Sequence, residues 1–209
     1  MIIGVLGLIG SGKNTAAEIL VKQLPQAQID SFAGTLKDAV AHIFSWDREM
    51  LEGATPESRA WREQVDEWWA DRLGMPNLTP RWVLQNFGTD VMRNCFHEDI
   101  WIASLERKLL DRGGHTVLAD VRFRNEVELI RKMGGTLVEV QRGSKPEWYQ
   151  TALAAVQGDT AAYQRMTTQY GDVHRSEWDW AGTKVDYTIN NDGTLEDLEA
   201  AIKDLIDYV

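Results

Sequence analysis

Strands alternating with helices predict an α/β fold, a parallel sheet covered by helices on both faces. Three observations carry that prediction. An apolar strand at the N-terminus runs through a glycine-rich loop into a helix. Two more strands, near 115–121 and 136–141, bracket an amphipathic helix. The chain closes on a strand followed by a capped helix with one apolar face.

Taken in order, Ile2 to Leu6 is a short apolar run of the kind buried in parallel sheets. Lys13 to Leu24 has apolar positions Ala16, Ala17, Ile19, Leu20 and Leu24 at helical spacing, and Pro25 stops it. Residues 27–32 read as a second strand and Leu36 to Phe44 as a helix. Residues 115–121 form the third strand, and 124–133 a helix ended by Gly134 and Gly135. Residues 136–141 and 185–190 are the fourth and fifth strands. The last helix starts near Thr194 and aligns Leu195, Leu198, Ile202, Leu205 and Ile206. Two stretches break the rhythm. Residues 46–112 are helical without a strand, and 143–182 are polar with three of the nine tryptophans. Trp61, Val65, Trp68 and Trp69 fall at helical spacing and read as a packing stripe; the sequence leaves open whether it packs internally, lines a pocket or anchors a homodimer.

Composition narrows the function. The 209 residues suit one domain, in which about 70% of the unfolded chain's surface is buried. Nineteen aromatic residues exclude whole-chain disorder. The net charge of −10 disfavours stable nucleic-acid binding, which needs a basic surface. Only residues 81–145 are net positive, which makes them the place to seek anion-binding arginines. Cys95 is the single cysteine, so no intramolecular disulfide forms; its setting among Val91, Met92 and Phe96 predicts a buried small hydrophobe. The apolar N-terminus is short and lacks a basic leader, so the expectation is a cytoplasmic protein without a membrane span.

Chemistry enters at Gly7-Leu8-Ile9-Gly10-Ser11-Gly12-Lys13, the spacing of a phosphate-binding loop between a strand and a helix. The glycines let successive backbone N–H groups turn inward. The helix adds its positive end, and Lys13 reaches the outer phosphates. A nucleoside triphosphate is the expected ligand. Position 14 is Asn where a hydroxyl usually meets Mg²⁺, and Thr15 follows. The metal would then be shared among Asn14, Thr15, phosphates, water and an acid elsewhere. The Lys-x-Thr ending resembles that of the adenylate kinase class.

Three later stretches add candidates. Asp30 ends a strand, where it would face the ligand crevice of an open sheet or cap the next helix. Phe32 would stack on a base or fill the core, and Lys37 would meet an acceptor phosphate or stay solvated. Arg81 and Gln85 share a helix face; Gln85 suits a base edge, and Arg81 with Arg93 suits a phosphate fork. The Phe87-Gly88-Thr89 break predicts a kink or a restart. Asp120 closes an apolar strand where such proteins hold an acid near Mg²⁺, and Arg122 follows it. Glu126 reads as a cap or salt-bridge residue.

Together, Gly12-Lys13-Asn14-Thr15, Phe32-Ala33…Leu36-Lys37, Leu84-Gln85-x-Phe87-Gly88-Thr89-Asp90, Asp120-Val121-Arg122-Phe123-x-Asn125-Glu126, His174-x-Ser176-Glu177 and Asn190-Asn191-Asp192-Gly193-Thr194 resemble the phage-type deoxynucleoside monophosphate kinases. A more distant similarity runs to the animal-type phosphomevalonate kinases. Asn14 departs from the Asp common at that position in the family. The resemblance implies a nucleoside-monophosphate-kinase fold in a single domain: a five-stranded parallel core (1–45, 113–142, 183–209), a helical acceptor-binding lobe (46–112) and a lid (143–182). It implies phosphoryl transfer from ATP with Mg²⁺ to a deoxynucleoside 5′-monophosphate in the host cytoplasm, for phage DNA synthesis. Lys13, Asp120, Arg122 and Arg142 would serve catalysis, and Arg165 or Arg175 the lid. Gly10, Ser11, Gly12, Lys13, Asn14, Thr15, Asn190, Asn191 and Gly193 would hold ATP. Asp30, Phe32, Lys37, Arg81, Gln85, Arg93, Arg122 and Arg175 would hold the acceptor. Two alternatives remain: a same-fold kinase acting on a hydroxymethylated base in DNA or on another small phosphate ester, and a nucleotide-gated binding module.

Overall fold

A computed structural model describes residues 1–209. The chain divides into two compact units, one of Met1–Phe32 with Leu109–Val209 and one of Ala33–Lys108. No helix is long and apolar enough to cross a membrane.

The first unit carries the sheet. β1 (Ile2–Leu6), β2 (Ala27–Asp30), β3 (His115–Leu118), β4 (Thr136–Gln141) and β5 (Tyr187–Asn190) lie in the order β2-β3-β1-β4-β5, all parallel. This is the predicted fold class. A parallel sheet needs crossovers, and helices supply them. α1 (Lys13–Gln23) and the closing helix, Leu195–Tyr208, pack on one another and on the sheet; Ile3, Val5, Leu20, Val138, Ile189 and Ile202 share their core. Thr194 and Asp197 form a capping box that starts the closing helix as expected. The helix Arg124–Lys132 starts with Glu126, whose carboxylate accepts from the backbone N–H of Arg122 (2.7 Å) and Phe123 (3.0 Å). Glu126 is thus a buried cap, one of the two roles read for it.

The strands stop sooner than their apolar runs suggest. β2 ends at Asp30 and β3 at Leu118, because Asp120 has left the ladder and its Oδ1 accepts from Phe32 N (3.2 Å). Between β4 and β5 the helices Tyr149–Val156 and Thr160–Thr168 pack around Ala152, Ala162, Met166 and Trp178, and a 3₁₀ turn follows at Arg175–Glu177.

The second unit is helical throughout. α2 (Gly34–Phe44), α3 (Arg48–Glu52), α4 (Pro56–Arg62), α5 (Glu67–Leu73), α6 (Pro80–Gln85) and α7 (Ile100–Asp111) appear in order, with a π-helix, Asn86–Phe96, before α7. Leu36, Val40, Leu51, Leu78, Val83 and Trp101 make its core. Residues 33–45 therefore pack with the helices, where the sequence had suggested a start at 46. Residues 109–112 belong to the sheet unit.

Three local expectations are corrected. The tryptophan stripe is not one helix face: Asp66 caps α5, splitting Trp61 from Trp68 and Trp69, and Trp68 is 64% exposed. The Phe-Gly-Thr segment neither kinks nor restarts. It is wound as a π-helix, with Gly88 buried and its carbonyl accepting from Trp101 Nε1 (2.9 Å). Cys95 is exposed. The wider π-turn takes residues 91–96 off the α-helical face assumed for them.

Candidate active site

Because all five strands are parallel, their carboxyl ends share one edge of the sheet, where open α/β sheets bind ligands. The glycine-rich loop leaves β1 there. Gly10 and Gly12 take positive φ (77° and 97°), as an inward-curling loop requires. Gly12 has a second reason to be glycine: a Cβ would overlap the Asn191 amide. That amide donates from Nδ2 to Ser11 O (2.8 Å), and Asn191 N donates to Gln141 O (2.8 Å). Asn191, expected among the ATP-binding residues, thus tethers the loop to the ends of β4 and β5. The buried Ser11 hydroxyl has no partner.

Lys13 folds back over the loop, its Nζ donating to Gly7 O and Leu8 O (2.7 Å each). Burial, and next the nearby Arg122 guanidinium, lower its pKa to about 8, while Glu177 opposes the change. This is a cation held where its charge is costly, ready for an anion.

Arg122 is held in turn. Its Nη1 donates to Glu177 and to Ser176 Oγ (3.4 Å), and Ser176 Oγ meets His174 Nδ1 (2.9 Å). The run His174-x-Ser176-Glu177 therefore faces the phosphate loop's arginine. The sequence showed that run without assigning it a partner, because 55 residues separate Arg122 from Glu177.

The other candidates sit in different settings. Asp30 is buried; its Oδ1 accepts from Ser31 N (2.9 Å) and its Oδ2 pairs with Arg112 (2.6 Å). Arg112 was not legible, since nothing in its neighbourhood marks it. Phe32 is 3% exposed, which favours core filling over base stacking. Arg175 pairs with Asp179 (2.8 Å). Arg142 and Arg165 are exposed, as are Asn14, Thr15, Asn190 and Gly193. In the helical unit, Lys37 pairs with Glu52 (2.9 Å) and Arg81 with Glu63 (3.2 Å). Gln85 is exposed at the end of α6, and Arg93 lies half-buried in the π-helix.

No preformed cluster of three metal-binding side chains exists. The oxygens of Asn14, Thr15 and Asp120 suit a hard cation that keeps several waters and takes the rest of its ligands from phosphates. Mg²⁺ fits that donor set.

Comparison with known proteins follows the same lines. Residues 58–153 match the family model described as deoxynucleotide monophosphate kinase. A protein of Acanthamoeba polyphaga mimivirus, provisionally named a deoxynucleotide monophosphate kinase, is 32% identical over 154 residues, 68% of this chain and 74% of that protein. The deoxynucleoside-5′-monophosphate kinase of Escherichia phage T5 is 43% identical over 56 residues, 26% of this chain and 22% of its own length. The deoxynucleotide monophosphate kinase of Escherichia phage RB69 is 26% identical over 143 residues, 65% and 49% respectively. Among solved structures, the shikimate kinase of Aquifex aeolicus superposes with a TM-score of 0.45 at 12% identity, covering 100% of this chain and 97% of that one. The APS kinase of Mycobacterium tuberculosis gives 0.43 at 14%, covering 99% and 97%.

Proposed function

The chain belongs to the deoxynucleotide monophosphate kinase family, and from that premise we propose how its residues divide the work. It phosphorylates deoxynucleoside monophosphates with ATP. The observation that carries the assignment is a half-buried, pKa-lowered Lys13 near Arg122, beside a positive-φ glycine loop at the carboxyl edge of the sheet.

Two phosphates must approach in line although both are anionic. The acceptor phosphate is already ionised, so no general base is needed. Catalysis is alignment and charge neutralisation. Loop N–H groups from Gly10 to Lys13 and the N-terminus of α1 hold the ATP phosphates. On binding, Lys13 exchanges its carbonyl partners Gly7 and Leu8 for phosphate oxygens. Arg122, held by Glu177, meets the transferring phosphoryl group. Mg²⁺, when bound by Asn14, Thr15 and Asp120 with water, adds positive charge on the ATP phosphates. Exposed Arg142, with Arg165 or Arg175 from the segment between β4 and β5, completes the neutralisation. Asn190 and Gly193 border the adenine. That segment acts as a lid limiting attack by water. Lys37, Arg81 and Arg93 serve the acceptor phosphate, and Gln85 its base edge. Asp30 acts on the acceptor through its pair with Arg112, and Phe32 supports the pocket from the core. The product would feed phage DNA synthesis.

ADP release from ATP-Mg²⁺ against a panel of deoxynucleoside and ribonucleoside monophosphates, with hydroxymethylated DNA included, tests this reading. Stimulation by at least one deoxynucleoside monophosphate is expected, falling by at least about 100-fold in Lys13→Ala, since the lost charge contacts are worth about 3 kcal/mol or more in the transition state. Turnover with modified DNA alone would move the acceptor from metabolite to polymer.

A further inference from the structure

The run His174-x-Ser176-Glu177 stands out in the sequence, and its surroundings show what it braces. It enters the 3₁₀ turn Arg175–Glu177, between the helix Thr160–Thr168 and β5. His174 caps the turn, its Nδ1 accepting from Ser176 N (3.3 Å). An accepting Nδ1 makes the Ser176 hydroxyl its donor (2.9 Å) and leaves that oxygen to accept from Arg122 Nη1 (3.4 Å). Glu177 accepts from the same Nη1.

A second contact runs alongside. Glu177 and Asp179 flank Trp178, as Arg122 and Arg124 flank Phe123. Asp179 is buried; its Oδ2 accepts from Arg124 N (3.1 Å) and its Oδ1 from Arg175 Nε (2.8 Å). Trp178 is buried too, packed with Ala152, Ala162 and Met166 of the two preceding helices. The chain after β3 is thus gripped at a backbone N–H and at a guanidinium, by a turn rooted in the core of the segment between β4 and β5. The grip on the guanidinium is one-sided. Both contacts fall on Nη1, while Nε and Nη2 bond to no protein group. The Nε–Nη2 edge is a bidentate fork for phosphoryl oxygens. A carboxylate on that edge would compete with phosphate; one on Nη1 alone fixes the guanidinium and leaves the fork open. The place is the phosphate loop, since Arg122 and Glu177 both act on the charge of Lys13, in opposite senses.

We propose that Glu177, with Ser176, is a positioning residue for phosphoryl transfer, holding Arg122 by Nη1 so that its Nε–Nη2 edge meets the transferring group. The proposal rests on the kinase reading above, and the test separates the two. Glu177→Ala and Glu177→Gln are compared with wild type at varied ATP-Mg²⁺ and varied deoxynucleoside monophosphate. An Arg122 set loose keeps its charge, so substrate binding survives and the aligned contact of the transition state is lost. In Glu177→Ala kcat falls roughly 10- to 100-fold, while the KM for each substrate stays within about threefold. Glu177→Gln keeps an acceptor oxygen without the charge and loses less, about 3- to 10-fold in kcat; it serves alone if Glu177→Ala does not fold. In an Arg122→Met background Glu177→Ala costs less than about threefold, because the brace then has nothing to hold. An unchanged kcat, a rise in both KM values that accounts for the loss, or an equal loss in the Arg122→Met background overturns the proposal and leaves Glu177 a surface ion pair.

If the wild type turns over no deoxynucleoside monophosphate, the kinase reading fails. Nitrogen-15 NMR of the arginine side chains in the ligand-free protein then decides the hold on Arg122 separately. A slowly rotating guanidinium signal, missing in Arg122→Lys, is expected in the wild type. Faster rotation of that group in Glu177→Gln supports the brace, and an equal rate overturns it.

Discussion

Lys13 shows how a single residue stores readiness for a ligand. Its ammonium is half-buried near Arg122, so its pKa falls to about 8. Bound polyphosphate restores the charge, so binding near pH 8.5 takes up a proton and affinity falls as pH rises beyond 8. Calorimetric titration of ATP in buffers of differing ionisation enthalpy reads the uptake, and Lys13→Met should abolish it. The sign for folding is opposite. Between about 8 and 10.5 the unfolded chain holds the extra proton, so this group makes the ligand-free fold more stable as pH rises. An unfolding midpoint that falls over that window in wild type relative to Lys13→Met would contradict this reading.

Elements here are fixed by a few side chains acting twice. Asp66 accepts from Trp69 N (3.0 Å) as the cap of α5, and from Trp46 Nε1 (2.7 Å). Asp66→Ala removes the cap and leaves an indole N–H unpaired, an expected loss of about 2–4 kcal/mol. Urea unfolding followed by tryptophan fluorescence measures it; Asp66→Asn, which keeps one oxygen, should lose less. The same residue explains why the tryptophan stripe misled. Spacing shows which residues would share a face if one helix ran through, and a capping aspartate at 66 starts a new helix instead. The π-helix escaped for a related reason. The change from i→i+4 to i→i+5 bonding is not written in the spacing of apolar residues, so the segment reads as an ordinary helix.

Across the whole molecule, the net charge of −10 bears on the acceptor. A duplex needs many phosphate contacts from one basic face. A mononucleotide needs only a few local cations. Labelled duplex DNA should therefore show no binding tighter than about 100 µM at physiological salt by fluorescence anisotropy. Saturable micromolar binding would favour a polymeric acceptor.

The sequence by itself determined the parallel α/β class, the phosphate loop, the capped last helix and the family. Each depends on residues close together in the chain: glycines before Lys13, Thr194 three residues from Asp197, apolar runs of strand length. Tertiary structure decided which charges meet. Arg112 reaches Asp30 across 82 residues, Glu177 reaches Arg122 across 55, and Asn191 reaches Ser11 across 180. Pairing of this kind depends on strand order and on where each loop leaves the sheet, and local propensity carries neither. Burial was equally remote: Phe32 lies in the core and Cys95 at the surface because of what packs over each, not because of the residues beside them in the chain.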